Sequence, residues 1–309
     1  MSTARSEHRI TVRAPFRLDL TVSVLRRLST NIVDLFTDDL EYLRAFGGAR
    51  GPVIARVKQV RGDELTVRFE GGGEADHARL LEIIARMLGG DRDLSRFDHA
   101  ARRVPWLRNL VVRMRGVKPP RYPTLWEACV NAILFQQVSL VAASSIARRL
   151  ILALAEPVRS GSVALHTFPD PDRLRALGDA PIRAAGVSAS KLATLRRVAE
   201  AISSRALDEA TLDALPSPAA AATLRTIKGI GPWTATIILL RGLGRLDVFP
   251  MNDSSVVRNL AFAAESRRVA IDDVLAELGV QRGMLYYYLL LARLESRGEV
   301  GRASSLLAS

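Results

Sequence analysis

From Pro52 to Val60 and again from Glu64 to Phe69, polar and apolar residues alternate, the two-residue period of half-buried strands. Arg61-Gly62-Asp63 between them is a hairpin signal. Most of the chain from Arg9 to Gly73 reads as strand, with a helix expected over Leu18 to Leu28. Asp76 to Leu88 changes to helical spacing through Leu80, Leu81, Ile84 and Leu88. After Gly89-Gly90 the character shifts again. From Asp93 to the end the pattern predicts helices separated by short breaks, with no solenoid-type repeat. The fold class expected is α+β: a small mixed α/β domain over 9–90, then a mostly α-helical region over 91–309. Residues 1–8 are expected to form a disordered tail.

Local signals sharpen the helical part. Gly116 to Pro123 is a Pro-rich connector, and Thr124 with Glu127 three residues on is a capping-box signature. The helix so started, LWEACVNAILFQQ, carries Leu125, Cys129 and Ile133 at i, i+4 spacing. Asp170-Pro171 and Ser217-Pro218 each read as an N-cap followed by Pro at the first helical position. Gly186 to Ser190 breaks two helices before Lys191 to Ile202. Leu224 and Ile227 share one face of a helix, Gly229-Ile230-Gly231 offers backbone angles closed to other residues, and Pro232 suits a new first turn. Trp233, Ile237 and Leu240 then recur at helical spacing. The predicted element is helix, tight turn, helix. N–H groups at such a turn make a ready anion site, and a DNA phosphate fits it.

Composition narrows the partner. The 309 residues carry a formal charge of +12, and the sequence pI is about 10.8. Such an excess points to a polyanion, nucleic acid before membrane. The basic residues are overwhelmingly Arg, with Lys only at 58, 118, 191 and 228. The single cysteine, Cys129, excludes an intrachain disulfide and a four-Cys cluster or zinc ribbon. It reads as a packed core thiol, and the lack of disulfides fits a cytoplasmic location. The four His make no ligand pair, no apolar run is long enough to span a bilayer, and MSTARSEHR lacks the apolar core of a signal peptide.

The hairpin GIGPWTA is followed 24 positions later (253 − 229) by Asp253. With PTLWEACVNAILFQQVS, this resembles the helix-hairpin-helix DNA glycosylase superfamily, and within it the DNA-3-methyladenine glycosylase II branch. The resemblance covers nearly the whole chain and is strongest from Pro120 to Ala261. It implies two helical subdomains with a cleft between them, and removal of alkylated bases from double-stranded DNA by a monomer that leaves an abasic site. Asp253 is the catalytic residue so implied. By itself, Asn252-Asp253-Ser254-Ser255 before an apolar helix reads as an N-cap. Cleaving an N-glycosidic bond builds positive charge on the sugar, and one fixed carboxylate stabilises it or positions the attacking water. Asp247 is the rival carboxylate, with a turn or capping role.

Members that also cut the strand carry a Lys two positions after the second hairpin Gly. Trp233 stands there, and Lys228 lies on the other side of the glycines, so no Schiff base forms. Trp233 either meets a cationic base by cation–π attraction or packs two helices together, and both roles stay open. Trp126 and Trp106 resemble positions near the base pocket, and Tyr286 is the candidate there from Tyr286-Tyr287-Tyr288, three residues that cannot share one helix face. The resemblance turns Gln136, Gln137 and Ser139 toward the minor groove, although Gln137 stands where some members have an apolar wedge. It makes Lys228, Gly229, Gly231 and Thr234 further DNA contacts. The carbonyls of Arg225, Ile227 and Ile230 would hold a monovalent cation, with no organic cofactor. Arg241 is expected on a phosphate or a carboxylate. Competing readings are a non-catalytic DNA-binding hairpin module and a same-fold enzyme for oxidised or mismatched bases.

Overall fold

The alternation read over Pro52 to Phe69 becomes a hairpin at the centre of an antiparallel sheet. The computed structural model describes residues 7–251, 253–266 and 268–304. The sheet is built from β1 (Glu7–Thr11), β2 (Asp34–Phe36), β3 (Glu41–Gly48), β4 (Gly51–Arg61) and β5 (Glu64–Glu70), in the order β1-β5-β4-β3-β2. Helices α1 (Leu18–Arg26) and α2 (Glu74–Leu88) complete this part. Val57, Leu65, Val67, Leu80 and Ile84 share one core between the sheet and α2. Tyr122 and Ala128, from the chain beyond residue 90, enter that same core.

Of the expected tail, residues 1–6 lie outside the described residues. Glu7 and His8 are not tail: they open β1, paired with Arg68 and Val67 of β5. The edge of the sheet recruits them because β5 otherwise presents unpaired N–H and C=O groups.

Next come α3 (Ser95–Arg103), α4 (Pro105–Arg113), α5 (Leu125–Leu134) and α6 (Leu140–Leu154). A β6 (Pro157–Ser160) and β7 (Val163–His166) hairpin then breaks the expected all-helical run. Leu165 of that hairpin is buried against Leu35, Leu43, Ala45 and Ile54, so a distant sheet supplies the apolar partner that four-residue strands need. The chain continues through α7 (Pro171–Ala176), α8 (Asp179–Ala184), α9 (Ala189–Ser203), α10 (Glu209–Asp213), α11 (Ser217–Arg225) and α12 (Pro232–Arg241). It finishes with α13 (Ser254–Ala263), α14 (Ile271–Leu278) and α15 (Met284–Glu295).

Two helical cores result. One gathers α3, α4 and α13 to α15 with Leu20 and Val24 of α1. The other gathers α5 to α9 with α11 and α12. Val248 and Tyr286 pack against both. Among the described residues no helix is long and apolar enough to cross a membrane.

The capping signals resolve individually. Asp170 accepts from the Arg173 N–H at 2.8 Å, as expected of an N-cap before Pro171. Ser217 is not a cap: α11 begins one residue earlier than expected, and the Ser217 hydroxyl accepts from Arg245 instead. Thr124 accepts from the Glu127 N–H at 3.1 Å. Glu127 does not close the box, because its carboxylate is claimed by Arg44.

That claim forms the main polar joint between the sheet and the helices. Arg44, 2% exposed, donates to Asp34 at 2.7 Å and to Glu127 at 2.5 Å. Tyr42 adds a hydrogen bond to Asp34. Burial pushes the Glu127 carboxyl up, to about 7, against the opposing pull of the Arg44 guanidinium. Deleting the cation would leave two buried carboxylates facing each other. Arg44→Met should therefore lower stability by about 3–5 kcal/mol, the cost of breaking a buried pair. Urea unfolding measures it, and a midpoint equal to wild type would show the joint to be dispensable.

Candidate active site

The hairpin is shaped by one glycine. Gly229 takes φ +104°, a region other residues rarely adopt, and a Cβ there would lie 1.9 Å from the Thr194 hydroxyl of α9. Gly231, the N-cap of α12, has φ −89° and nothing within 4 Å of a Cβ. The fold thus needs the first glycine and not the second, whereas both were expected to carry special angles.

One side chain clamps this turn to the end of α5, and a second ties that end to α9. Gln136 Nε2 donates to the Gly229 carbonyl at 3.0 Å and to the Thr234 hydroxyl at 2.8 Å. Lys191 Nζ donates to the carbonyls of Leu134 and Gln136, each at 2.8 Å. Its partial burial lowers the amine's pKa. Beyond the clamp Gln137 is exposed with φ +54°. Ser139 caps α6 by accepting from Ala142 N–H at 3.2 Å.

Asp253 and this turn line one cleft of about 1120 Å³. It is 8% exposed and caps α13, Oδ1 accepting from the N–H groups of Ser255 at 2.6 Å and Val256 at 3.3 Å. Its other oxygen accepts from Trp233 Nε1 at 2.7 Å. Cap and cleft carboxylate are therefore the same group. A carboxylate offers about four acceptor positions, so three donors leave room for a water. The α13 N-terminus also places positive dipole charge beside the anion.

The cleft lining brings together Asp253, Trp233, Tyr286, Gln136, Gln137, Ser139, Gly229, Gly231 and Thr234 from widely separated stretches. Tyr286 lines it while Tyr287 and Tyr288 are 0% and 1% exposed in the core. Trp126 is not among the lining residues: it is 5% exposed and donates to the Pro169 carbonyl at 2.8 Å. Trp106 packs against the other helical core. Lys228 is exposed outside the lining, its carbonyl accepting from Arg197. The Ile227 carbonyl accepts from Ile230 N–H at 3.0 Å, while α11 ends at Arg225. Asp247 is exposed and outside the lining. Among the described residues no carboxylate lies within ion-pair distance of Arg241, and its burial closes it to a phosphate. It is 0% exposed, donates to the Val24 and Leu25 carbonyls and stacks on Tyr122. Cys129 is fully buried, which pushes its thiol up to about 12.

Sequence reasoning missed the basic part of the lining. Arg27, Arg258, Arg293 and Arg297 line the cleft, and Asp253 is the one carboxylate among the described lining residues. No local motif marks these arginines. They come from α1, α13 and the end of α15 and meet only in the folded chain.

The cleft thus combines a glycine hairpin, a fixed carboxylate and a basic lining. Residues 130–265 match the model of the HhH-GPD superfamily of base excision DNA repair proteins. Over 214 residues the chain is 32% identical to a Mycobacterium tuberculosis protein named probable bifunctional transcriptional activator/DNA repair enzyme AlkA, covering 63% of this chain and 42% of that protein. A Bacillus subtilis DNA-3-methyladenine glycosylase is 25% identical over 201 residues, covering 65% of this chain and 66% of that one. The chain thus spans about 42% of the length of the first relative. The solved 3-methyladenine DNA-glycosylase from Archaeoglobus fulgidus shares the fold, with a TM-score of 0.77 at 21% identity over 94% of this chain and 99% of that one.

The two hairpin glycines make a paired test. Gly229→Ala should be destabilised by more than about 1 kcal/mol, from left-handed strain plus the clash with Thr194. Gly231→Ala should unfold with wild type. Thermal melts of both variants decide it, and equal melts would mean the turn does not depend on Gly229.

Proposed function

We propose that the protein is a monofunctional DNA glycosylase of the DNA-3-methyladenine glycosylase II type, a monomer of the cytoplasm acting on double-stranded DNA with alkylated bases. The observation that carries this reading is the Asp253 carboxylate, held from both oxygens and lining the same cleft as the hairpin. A target base must leave the stack before its glycosidic bond is reached. The cleft has room for it, and the arginine rim matches the phosphates that follow it in. Trp233 and Tyr286 supply aromatic surface beside Asp253. As the C1′–N bond breaks, the electron pair goes to the base and positive charge grows on the sugar. Asp253 stabilises that charge without having to reorient, because its donors already fix it. Its remaining acceptor position orients the water that adds at C1′.

No lysine lines the cleft among the described residues, which supports hydrolysis without strand cleavage. No organic cofactor is required for these steps. A monovalent cation would sit on the carbonyls of Arg225, Ile227 and Ile230. Carbonyl oxygens are hard donors of the kind such an ion takes, and the Ile227 oxygen keeps a lone pair beyond its bond to the Ile230 N–H.

Methylated duplex incubated with the protein should yield free 3-methyladenine and an unbroken strand that alkali then cuts. Absence of released base would refute the reading. A covalent adduct trapped by borohydride would refute its monofunctional part. Trp233→Phe removes one hydrogen bond to a charged group, worth about 1.5–3 kcal/mol. It should slow single-turnover release about ten- to a hundredfold while keeping the fold. Release at the wild-type rate would mean the indole does not position Asp253.

A further inference from the structure

A second pocket lies where β1 and the end of α2 meet the Gly116 to Pro123 connector. Its volume is about 270 Å³, and it shares no lining residue with the cleft. Sites for drug-sized ligands run to roughly 300–1,000 Å³, so this one suits a smaller molecule. Helix α12 keeps the two sites apart. The hairpin and cleft stand at its first turn, whereas an arginine of this pocket bonds Gly244, just past its last turn. A helix of that length spans about 15 Å.

Three arginines line the pocket, Arg86, Arg92 and Arg121, against one carboxylate, Asp91. The turn at Leu243-Gly244 fixes two of them. Arg92 Nη2 donates to the Gly244 carbonyl at 3.1 Å, and Arg121 Nη1 donates to the Leu243 carbonyl at 3.2 Å. Gly244 permits this approach: at φ +68°, a Cβ there would lie 3.1 Å from Arg92 Nη2 and 3.4 Å from Arg121 Cδ. Lys118 Nζ steadies the Arg92 backbone by donating to its carbonyl at 3.0 Å. Arg86 donates to the Pro123 carbonyl at 2.9 Å and pairs with Glu209 at 2.9 Å. Among the described residues neither Arg92 nor Arg121 has a carboxylate within ion-pair distance. Their single carbonyl bonds leave most of each guanidinium's N–H donors unused. Burial holds Arg121 below its ordinary range, and Arg86 and Arg92 push it further down against the pull of Glu209 and Asp213. An anion in the pocket would offset that repulsion and take up the unused donors.

We propose that this pocket binds a small phosphate-bearing molecule, with Arg92 and Arg121 donating to the phosphate oxygens. Guanidinium forks match phosphate geometry. Two of them fixed by one turn are in place before the anion arrives, which lowers the cost of binding it. A DNA strand in the cleft is not the source, because the two sites stand at opposite ends of α12. Inorganic phosphate and a mononucleotide share the chemistry that the arginines read. They differ in whether an attached group covers the apolar wall of Val12 and Ala85.

The test is equilibrium dialysis of the full chain with labelled inorganic phosphate and with deoxyadenosine monophosphate, at constant ionic strength. Wild type should bind at least one of them. Arg121→Gln and Arg92→Gln should each weaken that binding about tenfold or more, the loss of a charge-assisted hydrogen bond. Ala85→Phe keeps every arginine and fills the pocket. It should weaken binding as much, and it decides the matter if an arginine variant fails to fold. Saturating duplex DNA should leave binding unchanged. A mononucleotide held about tenfold tighter than phosphate makes a nucleotide the ligand, and equal affinities make it free phosphate. No binding by wild type overturns the inference, as does a folded Ala85→Phe or Arg121→Gln protein that binds like wild type. Displacement of the anion by DNA would put it in the cleft and overturn the inference too.

Discussion

The site depends on one carboxylate being held still. Asp253 is tied through one oxygen to the first turn of α13 and through the other to the indole of Trp233 on α12. These helices belong to different cores, so this hydrogen-bonded group spans the cleft where the two meet. An acid free to rotate would have to be reoriented during the reaction. One whose donors are built into two helix beginnings needs no such step, and in the reaction we propose its charge is in place as the sugar cation forms.

The surrounding structure keeps those helix beginnings in register. Gln136 and Lys191 tie the end of α5 to the hairpin and to α9. Gly229 lets α9 come close enough for Thr194 to occupy the space of a missing Cβ. At the other end of α12, Arg241 is driven into the interior against the last carbonyls of α1, which fastens the hairpin helix to the N-terminal part. Arg44 fastens the sheet to α5 in the same way. The N-terminal domain thus contributes to the cleft directly, through Arg27, and indirectly, through the position of α5.

How much was legible in the sequence follows from how local each signal is. The hairpin could be read because a turn glycine and a first-turn proline lie within a few residues of each other, and Asp253 because its cap signal is local to the start of α13. Thr124 and Asp170 were readable caps for the same reason. Ser217 was misplaced because its neighbour Pro216 is an equally good helix entry, and only Arg245 decides what the hydroxyl does. The β6–β7 hairpin escaped because four-residue strands carry little pattern and Leu165 finds its core on strands more than a hundred residues away. Trp126 sat on an apolar helix in a position suggestive of the base pocket, yet the Pro169 carbonyl holds its indole outside the cleft. Arg27 was illegible: beside Arg26 on a mostly apolar helix it reads as surface charge, and only the completed fold buries it.

The most direct test of the central claim is single-turnover base release by Asp253→Asn, measured beside affinity for abasic-analogue duplex. Asparagine keeps the shape and caps a helix nearly as well, so folding and binding should stay near wild type. Release should fall by more than about a hundredfold, because the charge opposite the sugar cation is gone. An Asp253→Asn protein that binds normally and releases base at close to the wild-type rate would contradict the account, leaving Asp253 a helix cap and nothing more.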